Sequence, residues 1–158
     1  MSTYRESRNL EASLIDFLKI ELNEDGWTGI NVEKSLKQSQ IKIPVILIYV
    51  QDVDPQQKEI GSGDYLRFPT VIIRIFADND GQRLDLADWI LEKLEDNIEY
   101  YEYVVTNGAV SSKNLAGNIV IRKIIRNEKE LSNTNPEVLE KEDRYRHRIE
   151  VSIFVGLI

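Results

Sequence analysis

FPTVIIRIFADNDGQRLDLADWILEKLED, Phe68 to Asp96, runs from a strand straight into a helix. Phe68 to Ala77 is rich in β-branched residues, and Pro69 stands near its beginning, where a missing N–H is tolerated. Asp78-Asn79-Asp80-Gly81 supplies N-cap chemistry, so the helix starts there. Gln82 through about Ile98 follows with helical period. Leu84, Ala87, Ile90, Leu91, Leu94 and Ile98 form the expected buried stripe. Leu86 and Trp89 project off it, toward a side otherwise lined by Asp85, Lys93 and Asp96. A tryptophan beside a leucine on the polar side of a helix is a candidate contact patch. The competing expectation is a neighbouring loop that covers Trp89.

Upstream, Ile43 to Val50, IPVILIYV, is apolar on both faces, as in an interior strand, with Pro44 near its start. Between the two strands DVDPQQKEIGSGDYLR is a polar loop of a length that is commonly functional. Gly29 to Glu33 is a short candidate strand. Before it, Leu10, Leu14, Ile15, Phe17, Leu18 and Leu22 share one helix face, with Ile20 the apolar exception on the other. Thr3 and Glu6 have capping-box spacing, and Asn23 to Gly26 is turn chemistry.

Downstream, YYEYVV leads into TNGAVSSKNLAGN, a predicted loop, and then Asn118 to Arg126, NIVIRKIIR, a predicted strand. The polar connection ELSNTNPEVLEKED precedes a last strand in EDRYRHRIEVSIFVGLI. Read in twos, Tyr145, His147, Ile149, Val151, Ile153 and Val155 take one face of that strand. Arg144, Arg146, Arg148, Glu150 and Ser152 take the other. The predicted order is α-β-β-β-α-β-β. Helices separated by runs of strands, without βαβ alternation, give an α+β fold: a mostly antiparallel β-sheet with two amphipathic helices packed on one face. Residues 1–158 read as a single domain.

The composition narrows the function classes. The chain has no cysteine, which excludes disulfide frameworks and thiol nucleophiles. No apolar run reaches the length of a membrane span, and the N-terminus has no secretion-signal core, so a soluble protein made in a cytoplasm is expected. A net charge of −7 repels nucleic acid, leaving only local basic stripes such as the arginine ladder. Glu140, Glu142, Asp143 and Glu150 crowd that ladder, which favours salt bridging within the sheet or between subunits. The single histidine, His147, lies on the apolar-patterned face, and no base–nucleophile pair accompanies it. Gly61-Ser62-Gly63 lacks the lysine of a phosphate loop. Asp78 to Gly81 lacks the downstream glutamate of a calcium loop. No catalytic, cofactor or metal residues are expected, and the chain does not read as an enzyme.

The amphipathic first helix, IPVILIYV, the strand-to-helix passage from Phe68 to Asp96, and the terminal DRYRHRIEVSIFV together resemble the tail terminator (tail-completion) proteins of long-tailed bacteriophages. The similarity runs from about Leu10 to Val155 and lies in the arrangement of elements. The resemblance implies a structural virion protein, forming a ring, commonly a hexamer, at the head-proximal end of the tail. Its implied partners are other copies of itself, the tail tube protein and the head-side connector or stopper; DNA would only pass through the lumen. On that basis Leu86, Trp89, Arg144, Arg146 and Arg148 are candidate subunit-interface residues. Glu59, Ile60, Asp64, Tyr65 and Arg67 form a candidate partner-docking loop. A head-side neck adaptor and a monomeric protein-binding module are the alternatives.

Overall fold

The computed structural model of the chain describes residues 5–34, 42–57, 65–128 and 147–158. Over these residues the fold is α+β: two helices and a mixed, curled six-stranded sheet. The helices are α1 (Glu6–Glu24) and α2 (Asp80–Lys93). The strands are β1 (Asn31–Glu33), β2 (Val45–Gln57), β3 (Tyr65–Phe76), β4 (Ile98–Thr106), β5 (Ala109–Glu128) and β6 (Arg148–Leu157). Their order across the sheet is β1-β2-β3-β6-β5-β4, with every pair antiparallel except β1 with β2.

The central strands follow from their residues. Ile46 and Ile48 of β2, Val71, Ile73 and Ile75 of β3, and Ile149, Val151 and Ile153 of β6 all face one core. Leu10, Leu14, Leu18 and Leu22 of α1, with Leu86, Ala87 and Ile90 of α2, enter the same core, so both helices cover one face. On the second face Val45, Leu47 and Phe76 form a smaller buried cluster, which explains why IPVILIYV is apolar on both sides. The last strand splits as its alternation requires: Ile149, Val151, Ile153 and Val155 are buried, while Arg148, Glu150, Ser152 and Phe154 are half-buried. Pro69 lies one residue before the part of β3 that is paired on both sides, where its missing N–H breaks no second ladder.

The start of α2 is built from its sequence. Asn79 Oδ1 accepts from the Gln82 backbone N–H at 2.8 Å, while Gln82 Oε1 accepts from the Asp78 N–H at 2.8 Å. This reciprocal arrangement satisfies donors that the first helical turn leaves unpaired. Helix α1 starts differently. Arg5 is its N-cap, with a positive φ of 64° and no side-chain capping bond. Glu6 is the first residue of α1, and Thr3, the other half of the expected capping box, lies outside the described residues.

Three boundaries differ from the sequence expectation. Helix α2 ends at Lys93, and Ile98, placed on its buried stripe by period, is instead the buried first residue of β4. The hydrophobic spacing continues through the short connection by coincidence, so periodicity alone overextends the helix. The segment predicted as the loop TNGAVSSKNLAGN is mostly strand. Asn107 and Gly108, with φ of 54° and 79°, make a two-residue turn, and β5 begins at Ala109. Positive φ at both positions suits the right-handed twist of a hairpin, which is why Asn-Gly occurs here. Finally, β2 and β3 continue well into the predicted polar loop, pairing as far as Gln57 with Tyr65.

Helix α1 holds the two ends of the curled sheet. Ser13 Oγ accepts from the Tyr101 N–H at 3.0 Å and Asn9 Oδ1 accepts from the Tyr103 N–H at 3.2 Å, both on the free edge of β4. At the other end Glu11 Oε2 accepts from the Val50 N–H at 3.3 Å, beyond the last β1 pairing. Asn9 and Ser13 are the buried polar residues among those described, and this is their reason: they replace a neighbouring strand.

Candidate functional site

The helix α2 patch expected to be exposed is internal. Leu86 is fully buried and Trp89 is only 9% exposed, so neither side chain is free to line a subunit interface. The Trp89 indole N–H donates to Asp25 Oδ2 at 2.7 Å, and its ring meets Trp27 edge-on at 6.5 Å between centroids. Lys93 Nζ lies 3.0 Å from Asp25 and 3.1 Å from Glu21. The residues that look polar on α2 are thus half of a clasp onto the end of α1, and the covering loop is the turn after that helix. Conversely, Leu84, expected to be buried, is 36% exposed. The buried face of α2 is rotated toward Leu86 because α1 and its turn supply a second apolar wall.

The clasp has a pH signature. The Trp89 N–H, and then the Lys93 ammonium, hold the Asp25 carboxyl below its usual value. Asp25 and Glu21 hold Lys93 above its own. A carboxyl depressed in the folded state contributes stability that is present above its unfolded value of 3.8 and lost as pH falls through the folded value. As the pH drops below about 4, the melting temperature of the wild type should therefore fall more steeply than that of Asp25→Asn. Parallel slopes in thermal melts over that window would remove Asp25 from the account.

The arginine ladder is visible at its inner end. Arg144 and Arg146 lie outside the described residues. Arg148 opens β6 opposite Phe76, and its Nε is buried without a hydrogen-bond partner among the described residues. It lines a cavity of about 150 Å³ with Arg74, Phe76, Ile149 and Glu150. Arg74 and Glu150 are register partners and pair at 3.2 Å, and Arg74 also stacks 5.3 Å from the Tyr49 ring. The electrostatic seam shown at this point is within the sheet. Of the candidate docking loop, Glu59, Ile60 and Asp64 lie outside the described residues. Tyr65 and Arg67 belong to β3, where they pair with Gln57 and Pro55, so they are strand rather than loop.

The surface that sequence reasoning missed is the β4–β5 ribbon. Among the described residues, 109–117 of β5 have β4 as their strand neighbour; Asn118 exchanges two backbone hydrogen bonds with Ile158, and the β6 ladder begins at Ile119. Every residue from Thr106 to Leu115 is exposed, including Val110 at 56% and Leu115 at 61%. From Tyr103 to Asn118 the one charged residue is Lys113, in a chain that is 30% charged. Polar turn residues make this stretch look like an ordinary loop. The available signal was Asn107-Gly108, a two-residue hairpin turn between segments of β-forming residues.

The ribbon presents apolar side chains, hydroxyls and a strand edge that is unpaired among the described residues. Among the described residues no cluster of His, Asp or Glu would hold a metal ion, and no helix is long and apolar enough to cross a membrane. Comparison with protein-family models and with curated proteins finds no match for this chain.

Proposed function

We propose that the chain is a structural protein of a long-tailed bacteriophage, ending the tail tube at its head-proximal side and offering a joining surface to the head. The reading rests on the resemblance of its order of elements and its terminal strand to tail terminators. The observation in the fold that supports it is the β4–β5 ribbon, a projecting, nearly uncharged surface with exposed valine and leucine. Interface cores are depleted of charge in this way, and monomeric surfaces seldom are. A projecting two-stranded ribbon also reaches a neighbour without remodelling the core that supports it.

In virions the chain would sit in the neck, among copies of itself, the tail tube protein and a head-side connector or stopper. The test is to add fluorescently tagged chain to tail-tube protein during polymerisation and to image the products by electron and fluorescence microscopy. Tubes of limited length, labelled at one end, are expected. Tubes of unchanged length with no label at either end would overturn the proposal.

A further inference from the structure

Strand β5 carries a second pattern that its sequence conceals. The register with its neighbours shifts at three places, skipping Ser111, Ala116 and Arg122. Each extra residue reverses the alternation of faces. As a result Val110 opposes Val105, Leu115 opposes Tyr101 and Val120 opposes Gly156, and side chains five residues apart share one face. Lys113, opposite Tyr103, and Lys123, opposite Phe154, lie on that face as well. The intervening Ile119 is buried, and Ile121 and Ile124 pack against the core. Val110, Leu115 and Val120 are exposed by 56%, 61% and 37%. The face opposite to that of Ile119 and Ile121 thus bears a line of apolar side chains punctuated by lysines. Lys113 and Lys123 lie over the Tyr101 and Phe154 rings, at 4.4 and 6.0 Å, and neither makes an ion pair among the described residues.

The outward face of α2 is the converse. Leu84 and Leu91 recur seven residues apart, and Asp85 and Glu92 flank them at the same spacing. Leu84, Asp85 and Glu92 are exposed and Leu91 is half-buried. The cations nearby are committed elsewhere: Arg83 to Asp80 at 2.7 Å, Arg126 to Asp88 at 2.8 Å, and Lys93 to the clasp. One surface is apolar with lysines, the other apolar with carboxylates, Asp85 and Glu92, that make no ion pair among the described residues, and they lie on different faces of the fold.

We infer that these two surfaces bind one another between copies of the chain. The β5 line of one copy, with Lys113 and Lys123, seats on the α2 face of the next, with Asp85 and Glu92. Charge complementarity selects a second copy as the occupant. A chain of net charge −7 is otherwise self-repelling, and this is a pairing of opposite signs around apolar centres. Because the two surfaces differ, the contact is head-to-tail, and repeated it closes into a ring or runs on as a filament. It supplies the subunit contact for the function proposed above, but its evidence is independent of any tail.

The experiment uses two charge-reversed chains, Lys113→Glu with Lys123→Glu, and Asp85→Lys with Glu92→Lys. Their masses are read by light scattering at low salt, separately and mixed. The wild type is expected to exceed monomer mass and each variant alone to associate at least about tenfold more weakly, since the reversed charges oppose their own complementary face. An equimolar mixture is expected to recover association, because each variant then meets a face of opposite sign, and unfolded variants would not do so. A wild type that stays monomeric, variants that associate like the wild type, or a mixture that fails to recover would each overturn the inference. The tube-end assay fails or succeeds separately: association without tube binding removes the tail assignment alone, and tube binding by a monomeric wild type removes this contact alone.

Discussion

Trp89→Ala should lower the unfolding free energy by about 3–5 kcal/mol, the usual cost of truncating a buried tryptophan to alanine. The side chain fills the wall between α2 and the turn after α1, where it meets Trp27 edge-on. Its removal leaves a void there and takes the N–H donor from Asp25, so Lys93 keeps a carboxylate that has lost its second partner. Urea denaturation of the monomer, followed by intrinsic fluorescence of Trp27, measures the loss. A change below about 1 kcal/mol would mean that the clasp is not part of the fold, and it would return Trp89 to consideration as an interface residue.

Ser13→Ala should cost about 2–5 kcal/mol, although it removes only one oxygen from a small side chain. Ser13 Oγ both accepts from the Tyr101 N–H at 3.0 Å and donates to the Tyr101 carbonyl at 3.4 Å. Alanine cannot make either bond, and among the described residues no strand lies on that side of β4 to replace them. Each buried backbone group left unpaired costs about 1–3 kcal/mol. The discriminating readout is hydrogen exchange: the Tyr101 amide should lose protection by a larger factor than the Ile73 amide in the central strand. Uniform change at both positions would mean that Ser13 contributes only to global stability. Tyr103 gives a related marker, since burial and then the Asp16 carboxylate push its hydroxyl above the usual tyrosine value.

The sequence alone determined which segments cross the core and which of their faces do so. Alternation in β6 places Ile149, Val151, Ile153 and Val155 inward, and helical period places Leu10, Leu14, Leu18 and Leu22 together. Asn79 and Gln82 begin α2 as their types require. These are local properties, governed by residues a few positions apart, so a linear reading reaches them. The same reading put Trp89 outside and Leu84 inside, because the wall that buries Trp89 comes from residues 64 positions away in the chain. It made a loop of the first half of β5, where three register shifts break the alternation by which strands are recognised. It also left Asn9 and Ser13 without a role, since the strand edge they satisfy exists only after the sheet curls back onto α1. Local hydrogen bonding and periodicity set the elements. Which face of α2 stays free, and which side chains of β5 line up outside, depended on long-range packing and register, and only the tertiary structure decided them.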